Sequence, residues 1–284
     1  MKVRKLLALF LLLAVGAPSS FAQIRNAGST IVHTKKVKKE RPKKERAKKE
    51  PQQRETNPLK DRFFTVKLGA SMPTGDWSAV RYVQNTPSCV VFGGSGAFGG
   101  ATTGWTLGLA YQQSIPAVAG LNWVVSLDFL SNGLDSDLKQ QFENYAMQYE
   151  HLTSVKFPRY INWPLLAGLA YNYPLVGSVV LYGEAALGIR FASLSKFYQE
   201  VDILGIPYSL EQKYKTDVDF AGRLEVGVRF AERFSLGISY YMLGSPSVRG
   251  TYETITSSTT NKGEFDNGKL NSMNTLLLRL GVDF

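Results

Sequence analysis

The chain has 284 residues with a formal net charge of +10, and 44% of its residues are apolar. Its single cysteine, Cys89, excludes an intramolecular disulfide framework, because a disulfide needs two thiols. The two histidines, His33 and His151, are too few and too far apart in sequence to indicate a metal site.

The chain begins with the three parts of a secretory signal peptide. Basic residues precede an apolar run over residues 6–15, and small residues follow at Ser20 and Ala22. The apolar run is about half as long as the roughly 20 residues that a transmembrane helix needs. We therefore predict that residues 1–22 are a signal peptide cleaved after Ala22, and that the protein leaves the cytoplasm.

A strongly basic tract runs from Lys35 to Glu50. It contains ten Lys or Arg and three Glu, a surplus of seven positive charges, and the signal peptide supplies three more, so the rest of the chain is neutral. Proline-containing charged repeats remain solvated, and we interpret residues 23–62 as a disordered basic linker in the periplasm. The alternative is a binding arm for an anionic lipid or an anionic envelope polymer. Export argues against a nucleic-acid partner.

Apolar and polar residues alternate with period two from residue 63 onward. Such alternation places the apolar side chains on one face of a β-strand and the polar ones on the other. Eight segments show it: residues 63–72, 104–112, 121–130, 159–173, 179–191, 215–230, 234–242 and 274–284.

The connections between these segments alternate in length. Four are long and polar or glycine-rich, and the three between them are short. A meander with short turns at one end and long loops at the other is typical of a bacterial outer-membrane barrel. The long connections are predicted at 71–103, 131–155, 195–214 and 244–271, and the short ones at 113–120, 172–178 and 231–233.

The composition of the two faces favours a membrane barrel over a water-soluble one. Aromatic residues such as Trp105, Tyr111 and Trp163 occur near the ends of the apolar faces, where a lipid-facing strand meets the membrane interfaces. We predict an all-β fold: an eight-stranded antiparallel up-and-down transmembrane β-barrel over residues 63–284. Its location would be the outer membrane of a Gram-negative cell, with both chain termini in the periplasm.

The opposite faces of the segments carry charge, which in this fold points into the lumen. Eight strands leave an interior just wide enough for side chains. Buried charges must be paired, so we predict an ion-paired plug rather than the open pore of a general porin. The predicted network contains five cations and five anions: Lys67, Arg190, Arg223, Arg229 and Arg279 with Asp128, Glu184, Asp217, Asp219 and Glu225.

Two short motifs resemble known outer-membrane proteins. The final residues Arg279-Leu280-Gly281-Val282-Asp283-Phe284 resemble the C-terminal signal that the barrel-assembly machinery recognises, with Val282 in place of the usual aromatic residue. On this resemblance Gly281, Val282 and Phe284 would form the assembly signal. Residues 160–166, Tyr-Ile-Asn-Trp-Pro-Leu-Leu, resemble a strand of the small PorT-like, OmpA/OmpX-like barrels of Bacteroidetes, with Asn162 in place of an acid. The resemblance implies the fold and the location, and little about activity.

No motif predicts a catalytic residue, a cofactor or a metal ligand. Residues 94–99 satisfy G-x-G-x-x-G, but no helix is expected after them, as a dinucleotide site would require. We expect a non-enzymatic barrel whose surface loops contact partners, in envelope assembly or secretion. Two alternatives stay open: a lipid-modifying outer-membrane enzyme using His151, and a narrow gated channel.

Overall fold

The computed structural model describes residues 61–79, 81–83, 86–88, 99–149, 151–175, 177–203, 205–231, 233–270 and 272–284. The predicted signal peptide, its cleavage after Ala22 and the basic tract from Lys35 to Glu50 lie outside these residues. The elements are β1 (Arg62–Thr74), a 3-10 helix (Gly75–Trp77), β2 (Arg81–Val83), β3 (Thr86–Ser88), β4 (Gly104–Ser114), β5 (Leu121–Asn132), α1 (Ser136–Tyr149), β6 (His151–Lys156), β7 (Tyr160–Pro174), β8 (Val180–Leu194), β9 (Phe197–Ile203), β10 (Ile206–Tyr214), β11 (Asp217–Phe230), β12 (Phe234–Met242), β13 (Ser247–Thr256), β14 (Thr260–Lys269) and β15 (Asn274–Asp283).

Eight of these strands form a closed barrel in the order β1-β15-β12-β11-β8-β7-β5-β4, with β4 returning to β1. Every neighbouring pair is antiparallel, and the strands are 9 to 15 residues long. The register closes through β1, where Val66 lies opposite Val282 of β15 and Leu109 of β4. The predicted eight-stranded antiparallel barrel is confirmed.

The two ends of the barrel differ, and we name them after their connections. The turn end holds the three short connections, β4–β5, β7–β8 and β11–β12, together with the start of β1 and the end of β15. Two of these turns use glycine at positive φ, Gly120 (82°) and Gly177 (60°), a conformation that glycine adopts without strain. The loop end holds the four long connections.

The long connections are folded, which the sequence pattern did not predict. Strands β14, β13, β10, β9 and β6 form a five-stranded sheet in that order, called here the loop-end sheet. Strand β9 begins at Phe197, only three residues after β8 ends at Leu194, and Tyr214 and Asp217 bound an equally short gap between β10 and β11. The sheet therefore prolongs part of the barrel wall, and its strands satisfy one another's backbone groups.

Helix α1 packs beside this sheet. Its first turn is capped by the Asp135 carboxylate, which accepts the backbone N–H groups of Asp137 (2.9 Å) and Leu138 (3.1 Å). One turn further on, Phe142 makes edge-to-face contacts with Phe157 and Phe197, at ring-centroid distances of 5.5 and 5.8 Å. No helix among the described residues is long and apolar enough to cross a membrane.

An apolar core fills the loop-end half of the barrel and continues under the sheet. The sequence pattern predicted polar residues in the lumen, but inward positions near the loop end carry leucine, alanine and methionine. Such residues need no charge partner when they are buried. The core contains Trp77, Ala101, Leu130, Leu134, Leu138, Phe142, Tyr160, Leu166, Ala186, Phe197, Ala221, Tyr241, Leu243, Val248, Leu270, Met273 and Leu277.

Candidate functional site

The outer surface of the barrel is apolar over all eight strands. Large aliphatic side chains remain exposed there, as Leu68 (58%), Leu187 (58%) and Leu280 (63%) show. The inward neighbours on the same strands are buried and polar, for example Lys67 and Arg279. A continuous exposed apolar surface around charged interior residues is the reverse of a water-soluble fold, and it fits a barrel that spans a lipid bilayer.

Aromatic side chains mark the two borders of this apolar surface. Near the loop end, Trp105, Phe129 and Trp163 form a row with ring centroids 4.9 and 4.6 Å apart. At the turn end, Phe230 and Phe234 stack at 6.0 Å across the β11–β12 turn. Aromatic girdles at both interfaces are characteristic of membrane barrels.

Asp128 of β5 is at the centre of the interior charge network. Its Oδ2 atom lies 2.7 Å from Nη1 of Arg223, and its Oδ1 atom lies 2.8 Å from Nη1 of Arg279. The hydroxyl of Tyr241 donates to Oδ2 at 2.6 Å. Strands β5, β11, β12 and β15 are thereby joined across the lumen through a carboxylate that is 1% exposed.

Two glutamates extend this network toward the turn end. Glu184 of β8 pairs with Arg223, and Glu225 of β11 pairs with Arg279. Lys67 of β1 donates to Glu225 at 2.9 Å and lies 3.8 Å from Glu184. The phenol of Tyr182 also donates to Glu225 at 2.9 Å. Glu184 therefore has two cationic partners within reach and Glu225 has three, the third being Arg223 at 3.7 Å, and such pairing offsets the cost of burying a carboxylate.

A separate ion pair closes the turn end of the lumen. The Nε atom of Arg229 lies 2.5 Å from Oδ2 of Asp283, and Thr65 donates to Oδ1 of the same carboxylate at 2.7 Å. The guanidinium of Arg229 also lies over the ring of Phe63, 4.3 Å from its centroid. The predicted network omitted Asp283, although residues two apart on a strand face the same side and Asp283 therefore faces inward with Gly281 and Arg279.

Two predicted members, Asp217 and Asp219, lie at the loop-end rim rather than deep in the lumen. Asp219 lies 3.6 Å from the buried Arg190 and accepts the backbone N–H of Ser245 at 2.7 Å. Asp217 accepts the backbone N–H of Ser247 at 2.7 Å and faces Arg249 at 3.5 Å. Both carboxylates are partly exposed, because β11 begins at Asp217 and its first residues lie at the rim of the barrel. They fasten the β12–β13 connection to β11.

The ion pairs and the apolar core together block the lumen. Most buried charges lie in the middle and the turn-end part of the lumen, Arg190 lies near the loop-end rim, and Leu130, Leu166 and Leu277 are among the side chains that fill the loop-end half. A cavity of about 10 Å³ near Asn162 and Met273 has room for a single water molecule. Among the described residues, buried side chains thus occupy the lumen in both of its halves.

The outer face of the loop-end sheet carries ion pairs in contact with solvent. Glu211 of β10 accepts Lys196 at 3.0 Å and Lys213 at 3.1 Å. These two hydrogen bonds, that of Lys196 first, lower the pKa of the Glu211 carboxyl below its usual value. On the edge strand, Lys262 pairs with Glu253 at 3.0 Å.

The residues of the predicted assembly signal lie in the closing strand. Val282 faces outward between Val66 and Phe234, and the backbone of Phe284 exchanges two hydrogen bonds with Phe64, of 2.8 and 3.2 Å. Gly281 faces inward, where a Cβ atom would lie 2.3 Å from the hydroxyl of Ser235. Their recognition by the assembly machinery stays a prediction.

His151 begins strand β6, with its backbone opposite Asp202 of β9. The described residues contain no group of three or more His, Cys, Asp or Glu that could hold a metal ion. Tyr182 and Tyr241 also donate to buried carboxylates, but the network predicted from the sequence contains charged side chains alone.

Comparison with known proteins gives structural similarity only. No family model and no curated protein matches the chain. Among solved structures, neisserial surface protein A is 12% identical, over 79% of this chain and 98% of that chain, with a TM-score of 0.38. The attachment invasion locus protein Ail of Yersinia pestis is 13% identical, over 78% and 97%, with a TM-score of 0.38. The outer membrane protein OprG from Pseudomonas aeruginosa is 11% identical, over 78% and 95%, with a TM-score of 0.37.

Proposed function

We propose that this protein is a non-enzymatic integral outer-membrane barrel that acts through its loop-end sheet. The observation that carries the proposal is the polarity of the barrel, with leucine-rich faces outside and the Asp128–Arg223–Arg279 network inside. A closed barrel of this polarity pairs its backbone groups within its wall, apart from the interruption of the β5–β7 ladder at Pro164, and such pairing is the requirement for crossing a bilayer with strands.

The orientation follows from the lengths of the connections. Outer-membrane barrels place short turns in the periplasm and long connections outside the cell. The turn end, with the start of β1 and the end of β15, would then be periplasmic, and the loop-end sheet would lie on the cell surface. The basic tract from Lys35 to Glu50 precedes β1 and would lie on the periplasmic side, within reach of an anionic envelope polymer or of the inner-leaflet lipid.

The blocked lumen directs the function to the surface. Since ion pairs and apolar side chains occupy the interior, transport of a solute would need the network around Asp128 to break, and breaking one buried pair costs about 3–5 kcal/mol. A folded sheet of five strands outside the membrane is instead a platform for contact with a partner, and loops on a rigid scaffold commonly carry recognition. Envelope assembly or secretion are roles in which such a surface would serve.

Two measurements on the purified protein test this proposal. Outer-membrane fractions should contain a compact band on a detergent gel that shifts on boiling, because a closed barrel resists detergent until it is heated. In planar bilayers the same protein should give no conductance above background. Steady single-channel currents would support the narrow-channel alternative, and an unshifted band from a soluble periplasmic fraction would remove the membrane assignment altogether.

A further inference from the structure

Exposed cations are concentrated where the barrel wall passes into the loop-end sheet. They lie beside the ends of β7, β8, β11 and β15 that border this sheet, and all of their side chains are exposed. We call this set the junction belt: Lys156, Arg159, Lys196, Lys213, Lys215, Arg249 and Lys269.

The belt lies just beyond the lipid-facing surface. Arg159 is four residues before Trp163, which belongs to the loop-end aromatic row, and Lys215 is three residues before the exposed Val218. A strand tilted by roughly 40° advances about 2.5 Å per residue along the membrane normal. The α-carbon of Lys215 is therefore about 8 Å beyond that of Val218, and the α-carbon of Arg159 is about 10 Å beyond that of Trp163, at the depth of lipid head groups. Long basic side chains can bend back toward that layer.

The belt contains more positive side chains than there are acidic side chains at the same level of the sheet. Lys196 and Lys213 share one carboxylate, that of Glu211. Lys215 pairs with Glu264 at 3.1 Å, and Arg249 pairs with Asp217 at 3.5 Å. With Asp266 opposite Arg249 and Glu253 opposite Glu211 in the register, the seven cations face five acids: Glu211, Asp217, Glu253, Glu264 and Asp266.

Acidic residues predominate farther from the membrane. Beyond the row of Glu211 and Glu253, toward the hairpin tips, the outward positions carry Glu200 and Asp202 and no cation among the described residues. The sheet is thus sorted along its strands, with its positive surplus nearest the barrel and its acids away from it. A solvated charged face with no partner has no reason to be sorted in this direction.

We propose that the junction belt binds the phosphate groups of anionic lipids in the leaflet at the loop end. The proposal rests on the membrane assignment made under Proposed function. Ammonium and guanidinium groups are the natural donors to phosphate oxygens, and the belt adjoins the apolar surface that holds the acyl chains. A lipid bound here contacts both surfaces at once, which a soluble anion does not.

The test compares lipid binding by two matched double variants of the full chain. The belt variant carries Lys213→Gln and Lys215→Gln, and the control carries Lys139→Gln and Lys262→Gln, a half-buried lysine of α1 and an exposed lysine of β14 that are not part of the belt. Each protein is reconstituted into vesicles of phosphatidylcholine, with or without one part in five of phosphatidylglycerol. Retained lipid is counted by native mass spectrometry, and the heat-modifiability midpoint is measured in both vesicles.

We expect the wild type and the control to retain the anionic lipid preferentially and to melt higher in anionic vesicles. The preference of the belt variant for the anionic lipid should be at least about fivefold smaller than that of the wild type, since each cation near a charged surface contributes about that factor. Added salt should weaken the wild-type preference because it screens exposed charges.

Equal retention of phosphatidylglycerol by the belt variant and the wild type would overturn the proposal. Binding of soluble tripolyphosphate, with no difference between the two kinds of vesicle, would also overturn it and assign the belt to a soluble ligand. In both cases a heat-shifted band in the vesicles would leave the barrel assignment intact. Failure of the wild type to fold into either vesicle would instead contradict the proposed function.

Discussion

The residue on which the interior depends most is Asp128. Two guanidinium groups and one phenol converge on its carboxylate, and none of these four side chains is more than 1% exposed. In so dry a place the attraction between opposite charges is strong, but the cost of desolvating each ion is of similar size. The net stabilisation of the intact network is therefore modest, while the removal of one member is severe.

Replacement of Asp128 by Asn tests this asymmetry. The amide keeps the shape but leaves Arg223 and Arg279 with less negative charge than they need, so we expect a loss of about 3–5 kcal/mol. The loss is measured as a lower urea concentration at the midpoint of unfolding of the refolded barrel, with the boiling-dependent band shift as the signal of the folded state. Asp266→Asn, at an exposed position, should change stability by less than about 0.5 kcal/mol. Equal effects of the two changes would contradict a central role for Asp128.

Glu211 supplies a pH-dependent prediction at the same scale. Its folded pKa is depressed by Lys196 and Lys213 from the ordinary value of 4.5, so its stabilisation is present above that value and is lost as pH falls through the folded pKa. Glu211→Gln should lower the melting temperature of the loop-end sheet slightly at pH 7, and the difference from wild type should vanish at the acid end. Thermal unfolding at several pH values measures it. A difference that persists at low pH would show that charge is not the cause.

At the scale of the element, the hydrogen-bond ladder between β5 and β7 is interrupted. Pairing between β5 and β7 stops after Leu127 and resumes at Leu130, and Pro164 lies opposite the gap. Proline has no N–H, so it cannot donate to the β5 carbonyl that faces it. Phe129 and Trp163 cover the gap on the lipid side with their rings 4.6 Å apart. Aromatic packing thus shields a missing hydrogen bond.

Pro164→Val should therefore stabilise the barrel. The new N–H completes the ladder in a region without water, where an unpaired backbone group costs several kcal/mol, against a loss of about 0.4–1 kcal/mol from the freer unfolded chain. The urea midpoint should rise. Pro174→Val, at the exposed turn-end limit of the same strand, is the control and should not raise it. A lower midpoint for Pro164→Val would mean that the proline ring is needed for packing.

At the scale of the whole molecule, the barrel could be predicted and the loop-end sheet could not. The barrel strands repeat a strict alternation because lipid demands an apolar residue at every outward position. Strands β13 and β14 face water on one side, and their inward positions include Thr254 and Gly263 beside Tyr252, so their alternation is blurred. Their pairing depends on neighbours brought together by the barrel itself.

The sequence also could not predict which charged residues pair with each other inside the lumen. The alternation of side chains along the strands places Arg229 and Asp283 in the interior. Whether they pair with each other depends on the stagger between β11 and β15, which are separated by β12. The same stagger decides that Asp217 and Asp219 reach the rim. Alternation tells the direction of a side chain and not its height in the barrel.

We expect the barrel to stay folded when part of the loop-end sheet is removed. Replacing residues 195–216 by a short Gly-Asn-Gly turn removes β9 and β10 but leaves the β8–β11 ladder, in which Ala192 lies opposite Asp217. The variant should keep the boiling-dependent band shift, while α1 loses the Phe142–Phe197 contact and becomes open to trypsin at Lys139. Cleavage kinetics measure the second effect. Loss of the band shift would show that the barrel needs its sheet.

Closure of the ring between β1 and β15 has a consequence for how the protein is made. The hydrogen bond from Thr65 to Asp283 spans 218 positions of the chain, and β1 has no second neighbour until β15 arrives. Contacts of such long range form slowly, and open strand edges aggregate while they wait. The barrel therefore closes only when β15 has paired with both β1 and β12, and until then the free edge of β1 is open to aggregation.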